Sequence, residues 1–167
     1  MPKNILGTTL STTYHGSSDY KLFGTDGSFY LRHKFETLTW SSSGLDVSTM
    51  GAYGIARIVT STASDGPSTS PATVTLAAPI VGCEKTIIQE TTAAYVNTID
   101  IDLGANVRVQ GTSDGRYIAF SSLAGDHQSI TLIGLSTAKW GVKSVDSTLG
   151  GFGAATGIRA TTAARTS

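Results

Sequence analysis

Asp100 and Asp102, alternating with isoleucines in the run Thr98-Ile99-Asp100-Ile101-Asp102-Leu103, are the closest approach of this sequence to a paired carboxylate. Residues two apart on a strand share a face, and two carboxylates on one face could serve a calcium ion or a glycosidase acid–base pair. Calcium also needs backbone carbonyls and further carboxylates from a loop, and none is evident nearby. A glycosidase pair must face across a cleft, which one strand cannot provide. The spacing therefore predicts that both aspartates keep a sheet face soluble, with Ile99, Ile101 and Leu103 turned to the core.

The remaining reactive residues are isolated. His15, His33 and His127 sit in three different contexts, with no HxH, HxxxH or CxxC spacing to gather metal ligands. Cys83, between Gly82 and Glu84, has no nominated base and reads as a buried or half-buried structural thiol. The glycine-rich run Gly150 to Gly157 lacks the Lys-Ser/Thr ending and the βαβ setting of a phosphate loop. No GxSxG elbow marks a nucleophile. The expectation is no catalytic, cofactor-binding or metal-binding residue, and a protein that is not an enzyme.

The elements that would position any site are strands. From Ala72 to Val145, short β-branched runs alternate with glycine- and aspartate-centred turns at about ten-residue spacing, the rhythm of a sandwich or barrel. Val74, Leu76, Val107, Val109, Ile118, Phe120, Trp140 and Val142 are the expected inward residues. Ser113-Asp114-Gly115 is the clearest hairpin signal, joining VRVQ to RYIAF. Gly134-Leu135-Ser136 reads as another turn. Connections this short predict antiparallel neighbours. The fold class expected is all-β, an antiparallel sandwich or barrel of jelly-roll type with extended N- and C-terminal arms.

Three zones follow. Residues 1–70 hold two strands, 28–35 and 53–60, with 41–50 read as loop and 61–71 as linker. Residues 71–145 form the β-module, and residues 146–167 a flexible arm too rich in glycine for helix. Aromatics crowd the first zone, and spaced apolar residues such as Phe152 and Ile158 lie in the last. A flexible segment with a few apolar anchors can order on a partner. The structural or interface candidates are Trp140, Tyr30, Trp40, Phe152 and Ile158.

Composition narrows the partners. Only 14% of the 167 residues are charged, against about 25% for ordinary soluble domains, and serine and threonine fill the gap. Twelve cationic side chains balance twelve anionic ones. That balance gives no basic face for a nucleic acid, and it leaves repulsion between copies weak. A single cysteine excludes an internal disulfide and suits a reducing cytosol. The first residues lack the apolar stretch of a signal peptide, and no run reaches membrane-spanning length.

Two blocks carry a resemblance. The first is Leu76, Ala78, Pro79, Gly82, Lys85 and Ile87, in the pattern TLxAPxxGxxKxI. The second is His127, Gln128, Thr131, Leu132, Gly134, Leu135, Ser136, Thr137 and Trp140, in the pattern HQxxTLxGLSTxxW. Together they resemble a recurring β-module of tailed-bacteriophage virion structural proteins. The resemblance covers a little under half the chain. It implies a capsid decoration (cement) protein that stabilises the shell as a homotrimer, assembled in the host cytoplasm and held on the capsid surface by the major capsid protein or other virion proteins. The alternative it implies is a head-fibre or tail-associated protein that binds a host-surface glycan. In this reading Pro79 and Gly82 bend the chain, Lys85 presents a charge at a strand start, and Trp140 fills the core.

Overall fold

Threonine, isoleucine and valine at alternating positions favour pleated chain over helix. The computed structural model describes residues 34–41, 44–45, 49–60, 72–91, 99–110, 115–120, 127–147, 152–153 and 157–162. Every regular element among them is a strand. In chain order these are β1 (Phe35–Ser41), β2 (Gly44–Leu45), β3 (Thr49–Met50), β4 (Gly54–Thr60), β5 (Ala72–Leu76) and β6 (Glu84–Thr91). There follow β7 (Ile99–Asp102), β8 (Arg108–Val109), β9 (Tyr117–Phe120), β10 (His127–Ser136), β11 (Lys139–Asp146) and β12 (Arg159–Thr161). The chain divides into two units, Met1–Phe35 and Glu36–Ser167, and the second holds nearly all the described residues. Tyr30, residues 28–33 of the strand expected over 28–35, the linker 61–71 and the Ser113-Asp114 turn lie outside the described residues, and Phe35 opens β1.

The strands form two mixed sheets, and neither closes into a barrel. The first runs β2-β1-β4-β6-β10-β11-β8 and the second β12-β9-β7-β5-β3. From β3 to β10 the chain changes sheet at every step, so chain neighbours are not sheet neighbours. A strand that visits the opposite sheet can re-enter in its original direction, and β3 and β5, β5 and β7, and β4 and β6 pair in parallel. The pairs β6–β10, β10–β11, β7–β9 and β9–β12 are antiparallel, so the antiparallel expectation holds for only part of each sheet. Short turns were read as hairpins, whereas most of them carry the chain across to the other sheet. The VRVQ–RYIAF hairpin is absent for the same reason: β8 pairs in parallel with β11, while β9 lies between β7 and β12. Gly134 to Ser136 is the end of β10 and not a turn, and the stretch 41–50 supplies β2 and β3.

Both sheets feed one apolar cluster. The first contributes Leu38, Ala56, Ile58, Ile87, Val109, Ile130, Leu132 and Trp140. The second contributes Met50, Val74, Leu76, Ile99, Ile101, Ile118 and Phe120, and Ile158 joins from just before β12. All three sequence zones therefore supply this core. Period-two alternation explains the membership: in β5, Val74 and Leu76 are buried while Thr73 and Thr75 are exposed.

Polar residues enter the same inner face at its ends. In β6 the buried positions are Lys85, Ile87 and Gln89. Lys85 has no exposed surface, contrary to the expectation that it would display its charge. Its ammonium donates to the Glu36 carboxylate, which also accepts from the Gly51 amide at 3.1 and 3.3 Å. A buried ammonium requires such a partner, because leaving it unpaired costs several kcal/mol, on the order of 3–5.

Trp140 is the largest fully buried side chain, and its packing is apolar. Trp140→Ala is expected to lower unfolding stability by about 3–5 kcal/mol, measured by denaturant titration. An unchanged midpoint would contradict its place in the core.

Candidate functional site

The turn after β5 is built for close approach. The amide of Cys83 donates to the Ile80 carbonyl at 3.0 Å, and Gly82, at φ 78°, occupies the third position of that turn. A positive φ there is the geometry of a type II turn, which favours glycine. The turn then docks on β10. Gly82 N donates to the Gly134 carbonyl at 2.8 Å, Gly134 N donates to the Cys83 carbonyl at 3.0 Å, and Val81 bridges Gly134 in parallel. A Cβ at position 134 would lie 2.1 Å from the Ile80 carbonyl oxygen. Only glycine permits this contact.

Next to it, β10 bulges. Gly134 pairs with Trp140 and Ser136 with Lys139, which leaves Leu135 as the extra residue. Bulges re-aim side chains, and this one leaves Leu135 45% exposed, with its side chain against Gly141. Ile80 and Val81 are 46% and 63% exposed. Ile80, Val81 and Leu135, three of the four exposed large hydrophobic residues among those described, thus lie in the two segments that this contact joins as a knuckle, with Leu135 on the face of the sheet that Gly141 shares and the Ile80 carbonyl on the face of Gly134. The segments 78–83 and 134–138 that form the knuckle contain no charged residue. Cys83 is half-buried in its wall as a free thiol.

The knuckle brings together the two sequence blocks that carry the resemblance, some fifty residues apart in the chain. The residues that make its surface were nevertheless missed. Ile80 and Val81 are unspecified positions in the first pattern, and Leu135 was read as turn. The available signal was an apolar Ile-Val pair inside a Pro79-to-Gly82 turn, where turn chemistry ordinarily calls for polar residues.

The candidate residues distribute elsewhere. Trp140 and Ile158 are fully buried in the core, and Phe152 packs against its edge, half-buried. Trp40 lies in β1 opposite Leu45, and its side chain, like Tyr30, is outside the described residues. His127 begins β10, and Gln128 is buried with its Oε1 accepting from Ser147 Oγ at 3.4 Å.

The aspartate pair does not make a solvated face. Asp100 is fully buried, as is Ala119 opposite it on β9, so the second sheet is covered on both sides at its centre. Asp102 is held instead by Arg116. Its two oxygens accept from Nε at 2.9 Å and from the terminal guanidinium nitrogen at 2.7 Å, and its Oδ1 also accepts from Gly104 N at 2.8 Å. The Arg116 hydrogen bonds hold the Asp102 carboxyl below its usual value, assisted by the Gly104 amide and opposed by partial burial. The guanidinium also sits over the Tyr117 ring at 4.9 Å. The Asp102–Arg116 pair ties the end of β7 to the start of β9, and the Gly104 hydrogen bond holds the first residues of the turn that leaves β7.

Among the described residues, no group of three or more His, Cys, Asp or Glu side chains could hold a metal ion, and no helix is long and apolar enough to cross a membrane. No protein-family model and no curated protein matches the chain.

Two outcomes follow. Gly134→Ala is expected to cost at least about 2 kcal/mol in a denaturant titration, because it drives a methyl group into backbone. Gly141→Ala should cost less, since the nearest atoms there belong to the Leu135 and Gln110 side chains. Asp102→Asn should lower the melting midpoint at neutral pH. A carboxyl whose folded pKa is depressed stabilises the fold above the unfolded value, about 3.9, and loses that contribution as pH falls through the folded value. The gap between variant and wild type should therefore close below pH 4, and a gap constant with pH would exclude the Arg116 pair as its source.

Proposed function

We propose that this chain is a bacteriophage virion structural protein, a capsid decoration protein that binds and stabilises the shell as a homo-oligomer, most simply a trimer. The observation that carries the reading is the knuckle. The two blocks resembling virion β-modules converge at one backbone contact, and the segments that make it expose Ile80, Val81 and Leu135 rather than reactive groups. Exposed apolar side chains in segments without charge suit protein contact. The single core shared by both sheets supports a sandwich as the underlying architecture. The near absence of net charge removes a barrier to dense packing of copies on a shell. In this reading the protein assembles in the host cytoplasm, takes the major capsid protein as its partner, and performs no chemistry.

The test is occupancy. Purified full-length protein added to particles that lack it should bind in hundreds of copies per particle and raise the temperature at which the shells open. Binding of a dozen copies or fewer would place it at the tail instead. Binding to none would remove the virion reading.

A further inference from the structure

We infer that the outer face of the second sheet binds a neutral saccharide, with Tyr117 as the ring it lies against and Asp102 and the flanking threonines as its hydrogen-bonding partners. This goes beyond the shell-binding reading and does not rest on it. Ile101 and Ile118 point into the core, so alternation turns Asp102 and Tyr117 outward. The ladders extend that pair into one row across the sheet. Thr49, Thr75, Asp102, Tyr117 and Thr161 stand side by side on β3, β5, β7, β9 and β12. Four strand gaps make the row about 19 Å long. Thr49 and Thr75 are exposed, and Asp102, Tyr117 and Thr161 are half-buried. In the neighbouring row Asp100 and Ala119 are fully buried. The exposed row therefore lies at the foot of a step, where a ligand can be held from below and from one side.

The chemistry of the row selects the ligand. Each of its side chains carries a hydroxyl or a carboxylate, so donors and acceptors recur at the strand spacing of ~4.8 Å, close to the length of one pyranose ring. A sugar answers with hydroxyls at that repeat and with a C–H face for the aromatic ring. The ring is held ready. Both oxygens of Asp102 take the Arg116 guanidinium, which lies 4.9 Å from the centre of the Tyr117 ring. Groups fixed in this way lose little side-chain entropy when a ligand arrives. Charge excludes the other partners. The guanidinium cancels the one carboxylate of the row, and the neighbouring row likewise holds one aspartate, Asp100, and one arginine, Arg159. A polyanion gains no net attraction from such a face. A protein partner would want apolar contact, and the row offers none beyond the Tyr117 ring.

The experiment probes a glycan array of neutral and anionic saccharides with the full chain, then titrates the strongest neutral saccharide calorimetrically into wild type and variants. Tyr117→Ala removes the ring, Tyr117→Phe keeps it, and Thr75→Asp adds an uncancelled charge to the row. Lys143→Ala, on the first sheet, is the control, and circular dichroism checks the folding of each. Tyr117→Ala and Thr75→Asp are expected to raise the dissociation constant at least about tenfold, while Tyr117→Phe and Lys143→Ala stay within about threefold of wild type. If Tyr117→Ala does not fold, Thr75→Asp carries the test from an exposed position. Wild type that binds no saccharide on the array, or binds only anionic ones, would overturn the inference. Neutral binding that Thr75→Asp leaves unchanged would overturn it as well. Particle occupancy is a separate measurement: its failure would leave a Tyr117-dependent saccharide affinity standing, and particle binding without saccharide affinity would overturn this inference alone.

Discussion

A lysine placed inside an apolar core obliges its surroundings to answer it. Lys85 sits on the same inner row as Ile87, and the Glu36 carboxylate that neutralises it also accepts the Gly51 amide. Three separate stretches of chain are thereby tied at one end of the first sheet: β1, the approach to β4, and the start of β6. Replacing such a pair with hydrocarbon is often harmless to stability, whereas removing one member is not. The pair's value therefore lies in which segment it admits beside β6. Because β6 is central in its sheet, the seating of β4 on one flank and β10 on the other follows from that placement.

The knuckle depends on a different kind of constraint. Nothing attracts the Ile80 carbonyl to Gly134 strongly. The two are close because a side chain is missing, and the hydrogen bonds from Gly82 and Gly134 then fix the approach. Two glycines do distinct work here, one by supplying a positive φ and one by leaving room. Once the turn is seated, the bulge at Leu135 and the Ile80-Val81 pair present their side chains from fixed backbone, so little ordering entropy remains for a partner to overcome.

Alternation was the readable part of the sequence. Val74 and Leu76 against Thr73 and Thr75, or Ile118 and Phe120 within β9, announce a pleated chain with one face inward, and the all-β character follows. Partner choice was not readable, because a turn that reverses the chain within a sheet and one that carries it to the opposite sheet use the same residues. Asp100 was misread because alternation assigns a face but cannot say whether that face is covered. Lys85 was misread because its partner, Glu36, lies 49 residues away. For the candidate site, the anchoring residues Gly82 and Gly134 were legible and the exposed ones were not. An apolar residue in an irregular stretch gives no periodic signal to separate core from surface.

The winding between sheets also bears on how the chain reaches this state. Among the described strands, only β1 with β2, and β10 with β11, join segments adjacent in sequence, and the first of these pairings is two residues long. Every other ladder waits for a strand to travel to the opposite sheet and return, so loop-closure entropy is spent before any contact repays it. Among the described strands, the β10–β11 ribbon is the one extended ladder between neighbours in sequence. It is also the piece that bears Gly134 and the Leu135 bulge, so one half of the knuckle is made while the rest of the chain is still being threaded. Copies that met at that stage would do so before their cores had closed.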